Sequence, residues 1–548
     1  MAENARKPRV MILGGGFAGV YTALSLEKAL SRRDDFEIVL VNKENYFVFQ
    51  PMLPEVISGS IGLVDVVSPL RRLLPRTDVH IREVQAVDLE RRVITTAPGF
   101  RPHLHTIPFD HLVLALGNVT DFRGLPGLPE HALPFKNLGD ALHLRSHLIR
   151  ALEEASIEQH EPYLRCQLLT FVVAGGGFSG VEVVAELNDF VRDVARSYRG
   201  IDPAEIRVIL VHSGDRILPE VSESLALFAQ RILRKRGVEI RLGSRLAAGT
   251  GAEAILVGGE RIPTMTLVST VPASPHPLIE SLPLPKGKNG RLLTSTALQV
   301  KGTDHVWALG DCTLVTMSDG TVSPLTAQHA TRQAHVAAHN IVAALRGGRR
   351  RVFDFKGLGK MGSLGRRSAV AEILGARISG FPAWWLWRTI YLLKLPGWGR
   401  RAKVASSWTF DLFLPPELVE LKLSGSQGIT REHFEPGQDV FRQGELGDRL
   451  YIIVSGRAEV VCHSEDGETV LARLGPGEYF GEMALLQETT RKATVKCVSS
   501  MDVLSLPKRE FVTLAAHLPE LRQAFERLKE ERAEGCAAGP PEARPTSG

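Results

Sequence analysis

The sequence is short of cysteine and shorter still of cysteine pairs: five in 548 residues (Cys166, Cys312, Cys462, Cys497, Cys536), none in a C-x-x-C pair. That excludes a legible disulfide framework, zinc site or dithiol redox centre, so no metal is expected and a reducing, cytoplasmic setting fits. It also lacks a long hydrophobic run. No window approaches the ~18 uninterrupted apolar residues that a spanning helix needs. The opening MAENARKPRVMILGGG has too short an apolar stretch for a signal peptide and reads as a strand entering a turn. Charge of one sign is scarce too. Sixty-six Lys+Arg against 61 Asp+Glu leave +5, too little to imply a nucleic-acid partner. What remains is an ordinary soluble composition, 44% hydrophobic and 23% charged, on a chain too long for one core.

The most informative feature is a repeat. VMILGGGFAGVYTALSLEKAL at 10–30 returns as FVVAGGGFSGVEVVAELNDF at 171–190. Each copy is a strand-length apolar run, a Gly-rich turn and a segment with helical spacing of apolar residues. A second strand follows each, at 37–43 and 207–213, so the βαβ unit is present twice. Gly14, Gly16 and Gly19, with Phe17 and Ala18 between them, keep the spacing G-x-G-x-x-G; so do Gly175, Gly177 and Gly180. The first glycine permits the tight turn, the second admits a pyrophosphate to the backbone, and the third lets helix pack on strand. Two dinucleotides are expected.

An acidic residue normally ends the second strand of such a unit and holds the adenosine ribose. Here the positions are Asn42, beside Lys43, and His212. Asn42 can accept a ribose hydroxyl through its amide oxygen. A neutral His212 removes the carboxylate that would repel a 2′-phosphate, and Ser213 and Arg216 are close in sequence, which keeps NADPH open beside NADH; a strand-capping role for His212 is the alternative.

With these units come an "ALG" strand at 115–117, an "ALGD" strand ending at Asp311, and Pro324-Leu325-Thr326-Ala327-Gln328 opening a helix. Together, over roughly 8–415, they resemble the type II NADH dehydrogenases. The resemblance implies FAD on the first unit, NADH on the second and a membrane quinone as acceptor. It implies that Asp311 holds the flavin's ribityl or phosphate portion, that Gly117 allows its close approach, that Ala327 is also cofactor-binding, and that Glu182 lies near nicotinamide and flavin. Gln328 and Arg332, four apart on one helix face, would face the quinone; the family usually carries a second glutamine where Arg332 stands. Lys360 resembles a lysine near the family's flavin.

Residues 381–401 carry four of the six tryptophans, with flanking Arg and Lys. Such a segment suits the headgroup level of a membrane surface, placing the protein peripherally on the inner face of the cell membrane; a buried helix or a homodimer interface are the alternatives. From Phe434 to Phe511 short alternating strands are punctuated by glycines, as in a small barrel or jelly roll. Phe480-Gly481-Glu482-Met483-Ala484-Leu485-Leu486, followed by Arg491 and Lys492, resembles the phosphate cassette of cyclic nucleotide-binding domains. By that resemblance Gly481 and Glu482 meet phosphate and ribose and Arg491 pairs the cyclic phosphate of cAMP or cGMP as effector. Lys492 departs from the family's small residue there.

The expected architecture is α/β: two Rossmann-type domains, a membrane-contact region and an all-β roll. The FAD-binding domain takes 8–165 and 284–347, the NAD(P)H domain 166–283, and the membrane-contact region 348–415. A linker at 416–432 precedes the cyclic nucleotide-binding domain at 433–518, and 519–548 form a helix and a disordered tail. The function expected is FAD-dependent, non-pumping NAD(P)H:quinone oxidoreduction with a regulatory nucleotide module. Two alternatives stand beside it: a sulfide:quinone reductase-like flavoprotein, and a cyclic nucleotide receptor using the flavoprotein half as a docking platform.

Overall fold

A computed structural model of the chain describes residues 6–507, except 31–32, 98–103, 123, 271–273, 411–417, 421–428, 446, 448, 465–466 and 482–489. Glu482, the helical segment expected at 520–532 and the tail lie outside the described residues. The chain divides into two units. The larger comprises 1–123, 133–245 and 268–421, the smaller 124–132, 246–267 and 422–548.

The larger unit begins with strand β1 (Arg9–Leu13), helix α1 (Phe17–Leu30) and strands β2 (Glu37–Asn42), β3 (Asp78–Ile81) and β4 (His111–Leu114). Val10 to Leu13 are all buried, because a parallel strand covered on both faces needs a continuous apolar run rather than alternation. The second βαβ unit follows as β5 (Thr170–Ala174), α2 (Phe178–Ala195), β6 (Arg207–Val211) and β7 (Val238–Arg241), with β5 and β6 in parallel register from Thr170↔Arg207 to Ala174↔Val211. Strand β8 (Val306–Ala308) then returns to the first sheet and completes the order β8-β4-β1-β2-β3. It is shorter than the strand expected at 305–311, because Gly310 at φ +76° bends the chain into a 3-10 turn over Gly310–Cys312.

Helix α3 (Ala327–Arg346) packs along α1. An antiparallel meander, β9 (Gly359–Ser363), β10 (Ala369–Ile373) and β11 (Ala376–Gly380), leads into α4 (Phe381–Lys394) and α5 (Trp398–Phe410). Among the described residues no helix is long and apolar enough to cross a membrane.

The smaller unit contains a roll of two four-stranded antiparallel sheets. Thr430–Phe434, Met501–Pro507, Arg449–Ser455 and Tyr479–Phe480 make one; Asp439–Phe441, Thr494–Cys497, Ala458–Ser464 and Gly467–Leu474 make the other. Tyr451, Ile453, Phe480, Val495, Met501 and Val503 fill its core. Two stretches expected within the dinucleotide domains, 124–132 and 246–267, belong to this unit instead. The second is a three-stranded meander, Leu246–Gly249, Glu253–Leu256 and Arg261–Pro263. No local pattern distinguishes such an excursion, since its partner lies nearly two hundred residues downstream (Gln438 to Thr250, 188).

Candidate active site

The two glycine turns are built alike. Gly14 (φ +110°) and Gly175 (φ +119°) adopt a conformation that favours glycine, and a side chain at Gly14 would stand 2.3 Å from the Ala115 carbonyl oxygen. The third glycines let helix approach strand: a Cβ on Gly19 or Gly180 would fall within 2 Å of the carbonyl oxygen of the first glycine of its own turn. The residue ending the second strand braces each turn from the side. Asn42 Oδ1 accepts from the Gly15 amide (2.7 Å) while its Nδ2 donates to the Glu44 carbonyl (2.7 Å). His212 Nδ1 accepts from the Gly176 amide (3.1 Å). A neutral His212 therefore carries its proton on Nε2. Both side chains serve the turn itself, which leaves Asn42 one lone pair and His212 one N–H for a ribose.

Beside the first turn lies a cavity of about 380 Å³. Of the residues expected at the flavin, Gly14, Gly16, Phe17, Ala18, Asn42, Lys43, Gly117, Asp311 and Ala327 line it. Gly19 lies under the turn. Nothing stands within 4 Å of where a Gly16 side chain would be, so this backbone is open to a phosphate at the N-terminal end of α1. Sequence reasoning missed Lys136 and Asn118, which belong to no motif. Asn118 Nδ2 donates to Asp311 Oδ2 (3.1 Å). Burial pushes the Asp311 carboxyl up and the Lys136 ammonium down to about 8, each partly restrained by the other's charge. An open glycine backbone at a helix start, with a half-buried carboxylate to accept hydroxyls and a lysine to donate, fits a flavin dinucleotide.

Glu182 on α2 is half-buried among desolvating neighbours, and its Oε1 accepts from the Ser363 amide (3.2 Å). Burial raises its carboxyl to about 8. Glu186, one turn on, is likewise raised to about 8 by burial, then by Glu55. Glu55 accepts from Trp408 Nε1 (2.7 Å) and pairs Arg388 at 3.6 Å. The Arg388 guanidinium lies between the Trp384 and Trp408 rings, at 4.3 and 4.6 Å. Two buried carboxyls, Glu55 and Glu186, thus share the field of one guanidinium, with Glu182 one turn before Glu186 on the same helix.

The remaining expected residues are placed unevenly. Gln328 spends its amide on the loop before β9, donating to Gly359 O (2.9 Å) and accepting from Leu358 N (3.1 Å). Arg332 is exposed over the Phe355 ring. Its neighbour Gln333, about a hundred degrees round the helix, is buried, accepting from Gly310 N (2.7 Å) and donating to Ser323 Oγ (3.1 Å). Lys360 is exposed and donates to the Glu220 carbonyl. The tryptophans of α4 also divide by helical register. Trp384 and Trp387 are buried, so they cannot serve as interfacial rings; Trp385 (59% exposed) and Trp398 (82%) face outward with Phe381, Leu393 and Phe410.

Cys166 is exposed on the Pro162–Leu168 helix, while Cys312 is buried with its thiol pushed up to about 12. Neither is placed as a reactive thiolate beside the other, which removes the basis of the sulfide reading. Among the described residues no His, Cys, Asp or Glu cluster could hold a metal ion.

In the roll, Arg491 is buried and turned inward. It donates to the Gly481 carbonyl (2.7 Å) and the Arg449 carbonyl (2.9 Å), with its guanidinium 4.0 Å from the Phe441 ring centre. Lys492 is exposed.

Residues 8–334 match the family model described as pyridine nucleotide-disulphide oxidoreductase, and 431–517 match the cyclic nucleotide-binding domain. The chain is 33% identical over 408 residues to demethylphylloquinone reductase NdbB of Synechocystis, covering 73% of this chain and 96% of that protein. It is 30% identical over 450 residues to the type II NADH:quinone oxidoreductase Ndh of Mycobacterium tuberculosis, covering 79% and 94%. The structure of NDH2 from Plasmodium falciparum in complex with NADH shares the fold, with TM-score 0.70 and 18% identity, over 76% of this chain and all of that one. The chain belongs to the pyridine nucleotide-disulphide oxidoreductase family, among its type II NADH:quinone oxidoreductases, and carries a cyclic nucleotide-binding domain after the flavoprotein part.

Proposed function

We propose that this protein oxidises NADH, and NADPH where His212 admits it, and reduces a membrane quinone at the surface of the cytoplasmic membrane, under the influence of a cyclic nucleotide. The observation that carries the reading is the cavity beside the first glycine turn, where an open backbone at Gly16 meets the half-buried Asp311 and Lys136, each acting on the other's charge. Bound there, FAD supplies the two-electron chemistry. The chain supplies placement and protons. The first turn offers amides to the pyrophosphate, and Asp311, braced by Asn118, accepts hydroxyls of the sugar chain. The second turn, closed from the side by His212, positions the donor dinucleotide. Glu182 and Glu186, neutral near pH 7, are proton stores for the quinone.

The outward rings of Trp385 and Trp398, with the arginines at 400 and 401, suit a headgroup layer. Arg491 now reads as a cassette anchor that must exchange carbonyl partners for a cyclic phosphate. The test is anaerobic: purified protein should show a flavin spectrum that NADH bleaches and a soluble quinone restores. Absence of flavin, or bleaching that quinone does not reverse, would overturn the reading.

A further inference from the structure

The smaller unit joins three pieces of chain that are far apart in sequence. Gly127 is where they meet. At φ +69° it lies so close that a Cβ would fall 1.8 Å from the Gly249 carbonyl oxygen and 2.8 Å from the His433 ring. Around it, Gly249 N donates to Pro126 O (3.0 Å), and His131 Nε2 accepts from the His433 amide (2.9 Å). Arg431 pairs Glu130 (3.3 Å) and Asp502 (2.7 Å). Gln438 Nε2 donates to Thr250 Oγ1 (3.1 Å). The His433 ring is buried between Asp502 (2.6 Å) and Glu435 (3.1 Å). The roll is thus bonded to both excursions from the dinucleotide domains, its first strand to 124–132 and Gln438, just beyond that strand, to the 246–267 meander.

Where those excursions leave and return matters. The 124–132 stretch is bounded by Asn118, which holds Asp311, and by Lys136; all three residues line the flavin cavity. The 246–267 meander returns to Thr270, whose amide and hydroxyl both donate to Ala174 O (2.9 Å each) directly under Gly175 and Gly180. The chain thus runs from the junction into residues that line the flavin cavity, and from the meander into Thr270 beside the donor turn.

We propose that this three-way junction is the route by which the cyclic nucleotide-binding roll sets the order of both dinucleotide sites. As a route for regulation it rests on the proposed function; as a mechanical coupling it does not. A ligand can shift the sites only by favouring one of two states of an element that both share, and the junction is such an element.

The test uses the full-length protein with His131→Ala and Gln438→Ala together, and Gly127→Ala as the stronger perturbation. Amide hydrogen exchange is measured at 117–119, 133–136 and 268–270, with and without cAMP or cGMP, whose binding is followed by calorimetry. Losing the hydrogen bonds that His131 and Gln438 make across the junction should speed exchange there by about tenfold. In the unsubstituted protein a bound nucleotide should alter the same amides and the KM for NADH, and the double variant should lose that response while still binding the nucleotide. Faster exchange in the variant with no nucleotide binding to the parent would leave the coupling standing and defeat the regulatory reading. Unchanged exchange in every variant that folds, or a nucleotide response that survives the double substitution intact, would overturn the coupling.

Discussion

Replacing Glu182 by glutamine should make the protein more stable, and increasingly so as the pH rises. Burial holds the Glu182 carboxyl neutral in the folded state up to about pH 8, whereas in the unfolded chain it ionises near 4.5. Folding at pH 7.5 must therefore return a proton to this group across roughly three units, at about 1.4 kcal/mol each, or about 4 kcal/mol. At pH 5 the same term is under about 1 kcal/mol. A raised folded pKa means that the stabilising share is complete below the unfolded value and is lost as pH climbs toward the folded one. Glutamine keeps the acceptor for the Ser363 amide and removes the proton requirement. The gap in unfolding free energy between variant and parent should then open by about 3 kcal/mol between pH 5 and 7.5. Urea unfolding followed by tryptophan fluorescence reads this cleanly, because all six tryptophans (Trp307, Trp384, Trp385, Trp387, Trp398, Trp408) lie in the larger unit. Parallel pH profiles for the two proteins would show that Glu182 is ionised where it sits, and the proton-store role would go with it.

Three further outcomes are expected. His212→Glu should lower kcat/KM for NADPH by roughly tenfold or more relative to NADH, since a carboxylate then faces the 2′-phosphate; an unchanged ratio in steady-state assays would mean that the side chain only braces Gly176. Trp385→Ser with Trp398→Ser should release the protein from anionic vesicles in a sedimentation assay with its melting temperature kept, whereas Trp387→Ser should cost about 3 kcal/mol of stability; loss of stability in the first pair would place those rings in an interface. Arg491→Ala should destabilise the roll by roughly 2–3 kcal/mol even without ligand, because two carbonyls lose a charged donor; calorimetric unfolding that leaves the roll unmoved would contradict the inward placement.

Much of the first site was legible because chemistry restricts it to residues with no substitute. Only glycine tolerates the positive φ at Gly14 and the contact at Gly19, and nine expected residues line one cavity. Lys136 and Asn118 left no trace, since a lysine becomes informative only when a fold buries it beside Asp311. The Glu55–Arg388–Trp408 cluster was hidden for a different reason: its members join across 353 residues, and each alone looks like a surface helix residue. In α4 composition was legible but orientation was not. A tryptophan count finds an amphipathic segment, while the Arg388 guanidinium over Trp384 and the Tyr391 ring against Trp387 go with the inward turn of those two. Arg491 shows the same limit, because a motif names the residue and not the Gly481 and Arg449 carbonyls that it meets.

The late return of β8 bears on how the protein is made. Ribosomes deliver the chain from the N-terminus, and the first sheet then waits with β4 as a bare edge until the whole donor domain has emerged. Cys312 reaches the Leu114 carbonyl across 198 residues, and Asn118 reaches Asp311 across 193. Closing so long a loop adds little to the equilibrium cost, which grows only with the logarithm of length, but distant pairings are slow to find. The strands of the donor sheet, from Ala132–Pro134 to Thr266–Ser269, all emerge before β8 and can pair while the flavin domain is still open. On the proposed function, capture of the flavin then waits until Asp311 arrives with β8, and until then β4 offers unpaired backbone to any neighbouring nascent chain.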